Sequence, residues 1–211
     1  GLRKADSGSV LILGKEATNL SPREIDRIGV SHVPEERIRM GLVPNMTIAE
    51  NLILKRYNTQ PYCNRLLLNT DNITQNAQKL ITKYDIITPS SQTPAKLLSG
   101  GNIQRLILAR ETSEQPKLIL AAHPTYGLDV GATEQIRKLL LQQREKGAAI
   151  LLISEDLEEI MTLSDRIAVI YEGQIMGTIT ADTAKIEDIG LMMTGAKRNT
   201  DTRPTNRTEK R

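Results

Sequence analysis

Leu98-Ser99-Gly100-Gly101-Asn102-Ile103-Gln104, followed downstream by Pro124-Thr125-Tyr126-Gly127-Leu128-Asp129, decides how this chain is read. In the first run a hydroxyl and two glycines open an apolar-periodic helix (Ile103, Leu106, Ile107, Arg110). The first N–H groups of such a helix have no intrahelical partner, and the positive end of its dipole faces outward. Phosphate is a natural ligand for that geometry. Glycine lets an anion approach the backbone, and Ser99 adds a hydroxyl donor. The second run is a tight loop that carries an acid, Asp129. Taken alone, Ser-Gly-Gly is read as a plain loop followed by a capped helix, and the argument rests on the two runs together.

With Gln104, the following helix and the Pro-Thr-x-Gly-Leu-Asp loop, the segment resembles the signature motif and D-loop of ATP-binding cassette (ABC) ATPases. The resemblance extends over nearly the whole chain. It implies a P-loop NTPase-like α/β core with a mainly parallel sheet and an inserted helical subdomain. The division expected on this basis is residues 1–46 as partial α/β core with antiparallel strands, 47–113 as the helical subdomain with the signature, 114–195 as α/β core, and 196–211 as a disordered tail.

Local patterns supply the elements. Ser9 to Leu13 reads as a strand turned at Gly14, and Ser21-Pro22-Arg23-Glu24 as a capping box with proline at the first helical position. Ile28 to Val33 reads as a strand stopped by Pro34, and Thr47-Ile48-Ala49-Glu50 as a second capping box opening a helix to about Lys55. The stretch 57–72 carries little signal, although Arg65-Leu66-Leu67-Leu68 suggests helix. Helical spacing returns at Ile73, Ala77, Leu80, Ile81 and Tyr84. Lys117 to Ala122 and Ala148 to Ile153 are continuous apolar runs of the kind found in buried parallel strands, separated by an amphipathic helix over 133–146. A helix from Asp156, a hairpin around Glu172-Gly173 and a last helix over Ile186 to Met193 complete the alternation.

Composition sets bounds. The 211 residues, 39% hydrophobic, can bury roughly 70% of the unfolded surface. With five tyrosines and no Phe or Trp, aliphatic side chains must fill the core, and stacking of nucleic-acid bases on aromatic platforms is not expected. The +3 charge owes much to the basic tail, so a nucleic-acid partner is not expected. The lone Cys63 rules out an internal disulfide framework. No apolar run approaches the roughly 20 residues that span a bilayer, and no signal peptide is recognisable. Composition thus points to a soluble, cytoplasmic chain, and the family resemblance implies a peripheral place at the cytoplasmic face of a membrane.

The resemblance also exposes departures. No G-x-x-x-x-G-K-[ST] run occurs, and Gly1 to Val10 looks like the segment just after the P-loop helix, so the chain is expected to begin after that part of the fold. Where the family places a Mg²⁺-binding Asp and a water-orienting Glu, this sequence has Ala122 and His123. Glu155 stands where a histidine usually senses the γ-phosphate, and Glu35, within Val33-Pro34-Glu35-Glu36-Arg37, stands for the usual Gln. That run, with Gly41-Leu42 and Met46 to Leu52, is similar to the C-terminal, second cassette of fused double-cassette ATPases serving simple-sugar and nucleoside importers. Glu36 itself replaces the Asp usual there. The Ala122 replacement points toward the nucleoside branch.

The implied reading is therefore an importer cassette whose own ATP site is degenerate at Glu35, Ala122, His123 and Glu155. Its Ser99, Gly100, Gly101, Asn102 and Gln104 would serve ATP held in trans by the other cassette, with Asp129 at the shared interface. ATP with Mg²⁺ belongs to the assembled transporter, while this chain alone is expected to hold no cofactor tightly and to be inactive. The implied partners are the other cassette, permease subunits and, indirectly, a solute-binding protein. A missing strand would leave an open sheet edge, so self-association is also expected. Competing readings are a non-catalytic dimerisation or regulatory module, and a soluble ABC ATPase of DNA repair or translation. The Asn-x-Thr triplets at Asn45, Asn72 and Asn206 are read as chance, His32 and Met192-Met193 as structural, and Cys63 as no nucleophile.

Overall fold

The computed structural model describes residues 1–199, so the expectation for the tail lies almost wholly outside the described residues. The chain forms two compact units that divide after Ile153. The boundary falls inside the range 114–195 that the sequence suggests as one piece.

The first unit opens with an antiparallel pair, β1 (Leu11–Ile12) and β2 (Lys15–Glu16), turned at Leu13-Gly14. Helix α1 (Pro22–Ile28) has the full capping box: Glu24 N–H donates to Ser21 Oγ, while Ser21 N–H donates to Glu24 Oε2 at 2.8 Å. It ends at Gly29, whose φ of 100° only glycine adopts without strain. Strand β3 (Val30–Val33) follows, then a π-helical turn over Arg37–Gly41.

Thr47 and Glu50 form the second capping box and open α2 (Ile48–Leu52). The helix stops short of Lys55, and Asn51 explains the local geometry. Its buried amide donates to the carbonyls of Val43, Met46 and Thr47 and accepts from Val43 N–H.

The segment Arg65–Leu68 is not helical, contrary to the sequence expectation. It belongs to a two-stranded ribbon of β4 (Cys63–Asn64) and β5 (Leu67–Leu68), turned at Arg65 with φ 59°. Four residues are too few to offset the cost of helix nucleation. The cap of the next helix, Asn69, follows directly: its side chain accepts from Asn72 N–H at 3.0 Å and opens α3 (Thr70–Lys83).

Helix α4 (Gly100–Thr112) is buried along nine of its thirteen residues. It packs against α2, α3 and β3 and against α5 (Val130–Glu145). A helix covered on nearly every side needs no amphipathic stripe, which is why Leu108 and Ala109 are as closed to solvent as the periodic Ile103, Leu106 and Ile107. Gly41 is where the π-helical turn meets it; a Cβ there would lie 2.5 Å from Ile107 Cδ1.

Strands β3, β6 (Leu118–Ala122) and β7 (Ala149–Ile153) form a parallel sheet in the order β3-β6-β7. The face bearing Val33, Ile119 and Ala121 joins the core cluster, with Ile150 and Leu152 packed against it. On the opposite face the β7 edge is poorly covered: Leu151 and Ile153 are 54% and 52% exposed. The expectation of a buried strand at 148–153 therefore holds for the pairing and fails for the burial. An apolar run tells that a strand can be covered on both faces, while the covering requires a second layer.

A network of charges closes the far end of α4. Glu111, 1% exposed at its side chain, meets Lys55 Nζ at 2.5 Å and Arg110 Nε at 2.9 Å. It also accepts from His32 N–H at 3.2 Å. Lys55 reaches on to Asp26 at 3.0 Å. Burial pushes the His32 imidazole below its ordinary 6.5, Lys55 pushes the same way, and Glu111 opposes them. The folded state thus binds the proton less readily than the unfolded chain. The stability this gives is present above about pH 6.5 and is lost as pH falls through that value and below. The urea midpoint is expected to drop between about pH 7.5 and about pH 5.5, with part of that drop absent in His32→Asn. Equal drops in the two proteins would count against His32 as the source.

The second unit holds α6 (Leu157–Leu163), capped by Asp156, the hairpin of β8 (Arg166–Tyr171) and β9 (Gln174–Thr180), and α7 (Ile186–Met193). Its core is Ile167, Val169, Met176, Ile189 and Met192. Met192 is structural, as its spacing suggests, whereas Met193 is 39% exposed. Among the described residues, no helix is long and apolar enough to cross a membrane.

Candidate functional site: a cleft between two capped helix N-termini

The first turn of α4 and the first turn of α5 open on one cleft of about 270 Å³, whose lining includes Ile87, Ser99, Gly101, Asn102, Arg105, Asp129 and Gly131. Two runs separate in sequence are thereby brought to one place. Each helix starts on a side-chain cap: Ser99 Oγ accepts from Asn102 N–H at 3.5 Å, and Asp129 Oδ1 accepts from Ala132 N–H at 2.9 Å.

Asn102 Nδ2 also donates to Ser99 Oγ, at 3.0 Å. With both lone pairs of Oγ engaged, the capacity left to this hydroxyl is to donate its own proton. A donor-only hydroxyl at a helix N-terminus suits an anion. Asn102 is itself held, because its Oδ1 accepts from Ile87 N–H at 2.8 Å. Its amide braces Ser99 and the turn after α3 instead of projecting freely.

The glycines are needed for different reasons. A Cβ on Gly101 would sit 3.2 Å from Ala132 Cβ, too close unless α4 and α5 part slightly. A Cβ on Gly100 would meet Arg37 Nη1 at 3.6 Å, an ordinary contact that keeps an approaching ligand further from the backbone. Gly127 has φ 64° and allows the loop 124–128 to turn, with Leu128 N–H donating to Thr125 O at 3.1 Å.

Gln104 is not at the cleft. It is fully buried and neither of its side-chain polar atoms has a hydrogen-bond partner. Five residues after Ser99, it lies on the inward side of α4, where a side chain cannot touch a ligand at the helix end. Gln104 is therefore not among the residues that line this cleft.

Two arginines emerge that motif reading did not single out. Arg105 lines the cleft, donates to Asp85 O at 2.5 Å and Asn102 Oδ1 at 3.4 Å, and bonds Gln135 Oε1 on α5. Arg37 donates to Tyr126 O, so the 33–37 run is tied to the loop that ends at Asp129. Burial lowers the Arg37 pKa from its ordinary value, yet a guanidinium stays charged in proteins. The sequence signal for Arg105 was its spacing, one helical turn beyond Asn102. Arg37 stands in the 33–37 run, but nothing local marks its partner, the distant carbonyl of Tyr126.

The remaining candidates do not line this cleft. Ala122 ends β6 with a methyl group, which offers no metal ligand. His123 follows in a left-handed conformation (φ 44°), its N–H donating to Ile153 O at 2.8 Å and its ring edge-on to Tyr126 at 6.5 Å. Glu35 is exposed and does not line the cleft. Glu155 is exposed and belongs to the second unit.

Comparison with known proteins gives the family and the fold. Residues 1–126 match the family described as "ABC transporter". The chain is 46% identical over 196 residues to the guanosine import ATP-binding protein NupO of Bacillus subtilis (strain 168), covering 93% of this chain and 38% of that protein. It is 44% identical to the nucleoside import ATP-binding protein NupA of Lactococcus lactis subsp. cremoris (strain MG1363), covering 94% and 39%. The glucose import ATP-binding protein TsgD13 of Haloferax volcanii matches at 42%, covering 92% and 36%. The chain thus spans less than two-fifths of the length of these relatives. A nucleotide-free ATP-binding cassette from an ABC transporter superposes with TM-score 0.68 at 25% identity, covering 85% of this chain and 72% of that one. A dimeric cassette in a post-hydrolysis state, bound to ADP and phosphate, superposes equally well at 24% identity, covering 85% and 76%. With the fold of their P-loop NTPase cassettes and the sequence of their import ATP-binding proteins, the chain belongs to the ABC transporter family.

Proposed function

We propose that this chain is part of the second cassette of an importer for nucleosides or simple sugars, and that it acts on ATP held by the other cassette. The observation that carries the reading is the convergence of the Ser99 hydroxyl, the α4 N-terminus and Arg105 in the cleft that Asp129 borders. The hydroxyl and the α4 N–H groups are donors beside space for an anion, and the Arg105 guanidinium, paired with Asp85 Oδ2 at 3.5 Å, lines the same cleft. Bound ATP would supply the phosphoryl group. This chain's part is to orient and stabilise its terminal phosphate through Ser99, Gly100, Gly101 and the first turn of α4, with Asp129 facing the partner cassette.

The cassette's own half-site is degenerate in this reading. Ala122 gives no metal ligand, His123 replaces an acid, and Glu35 and Glu155 add negative charge where an anion must be held. ATP turnover then belongs to the assembled transporter and not to this chain alone. Residues 47–113 act as the helical subdomain that meets the permease at the cytoplasmic face of the membrane, with solute delivered by a binding protein. Relatives named for guanosine, nucleoside and glucose import support this substrate range.

Vanadate trapping in the full-length importer tests the asymmetry. One trapped nucleotide per pair of cassettes is expected; two per pair overturn the degenerate half-site.

A further inference from the structure

The β4–β5 ribbon presents an apolar tip without cover. Leu66, Leu67 and Leu68 are 95%, 78% and 53% exposed, and Tyr57, in the turns that lead to the ribbon, is 55% exposed. Adjacent residues on a strand point to opposite faces, so apolar side chains leave both faces of this ribbon. A bilayer's headgroup region surrounds an inserted tip and so covers both faces at once.

The ribbon is also held stiffly at its base. Asn69 N–H donates to Tyr62 O at 2.8 Å, Cys63 N–H to Thr59 O at 3.0 Å, and Asn72 Nδ2 to Pro61 O at 3.0 Å. The leucines are therefore displayed by a fixed support tied to α3. Charge narrows the choice of medium. Between Glu50 and Asp71 the sequence has Lys55, Arg56 and Arg65 and no acid. Lys55 and Arg56 already meet Asp26, at 3.0 and 3.9 Å, which leaves the exposed Arg65 at the turn. Leucines to bury, a tyrosine with an apolar body and polar tip, and an arginine able to reach back to water make the composition of a membrane-interface anchor.

We propose that the 57–68 segment docks on an anionic bilayer surface, with Leu66, Leu67 and Leu68 dipping to the headgroup–acyl boundary and Arg65 pairing with lipid phosphate. The inference stands apart from the trans-signature reading, since none of these residues touches the cleft.

Flotation of the 211-residue chain with vesicles tests it. Binding is expected to vesicles of phosphatidylglycerol mixed with phosphatidylcholine, and weaker binding to phosphatidylcholine alone. The double change Leu66→Ser/Leu67→Ser, at exposed positions, is expected to keep the circular dichroism spectrum and lower the bound fraction at least about fivefold. Arg65→Gln is expected to lower it about twofold on the anionic vesicles only. Undiminished binding of the double variant would place attachment elsewhere, the basic tail included, and overturn the proposal. So would absence of binding to either vesicle, a dimer of the chain that the double variant dissolves, or a loss confined to permease binding with vesicle binding intact.

Discussion

Ser99→Arg, introduced into the full-length importer, is expected to lower ATPase activity by about a hundredfold or more. Removing a preorganised donor from a developing charge typically costs that much, and here three effects combine. The hydroxyl whose lone pairs are held by Asn102 N–H and Nδ2 is lost. The α4 cap is lost with it, at about 1 kcal/mol. A long side chain then fills a cleft of about 270 Å³ and can pair with Asp129 on its wall. Steady-state hydrolysis by the purified complex is the measurement, with a thermal melt to show that the fold survives. Activity equal to that of the unmodified complex would sink the trans-signature reading.

Glu111→Ala is expected to be the most damaging stability change of those considered, by about 3 kcal/mol, near the low end for breaking a buried ion pair because Lys55 keeps part of its side chain in water. The carboxylate is 1% exposed and joins Lys55, Arg110 and the N–H of His32. Its removal leaves Arg110 to Gly41 O and Lys55 to Asp26. Strand β3, α1 and the end of α4 would lose their common anchor. Urea denaturation should show a lower midpoint at unchanged slope. A loss below about 1 kcal/mol would mean that water already screens the network.

What could be read from residue order was whatever a few neighbours decide. Capping boxes at Ser21/Glu24 and Thr47/Glu50 and the turn at Glu172-Gly173 are settled within four residues, and each forms as its pattern requires. The ribbon at 63–68 escaped because its leucines fit helix and strand alike, and the choice lay in the Arg65 turn and the Asn69 cap. At the candidate site, Ser99, Gly101 and Asp129 were legible because their types carry their chemistry. Arg37 was not, because its partner, the carbonyl of Tyr126, lies far along the chain.

By itself the sequence determined the family and most of the helices and strands, and it singled out two short runs whose hydroxyl, glycine and capping acid act through the backbone beside them. Tertiary structure alone decided that the two helix ends share one cleft, that Arg105 stands in it, and that Gln104 is turned inward out of reach. It also decided that Leu151 and Ile153 remain exposed on an apolar strand. Those are matters of what packs against what, and packing joins residues whose separation along the chain carries no local signal.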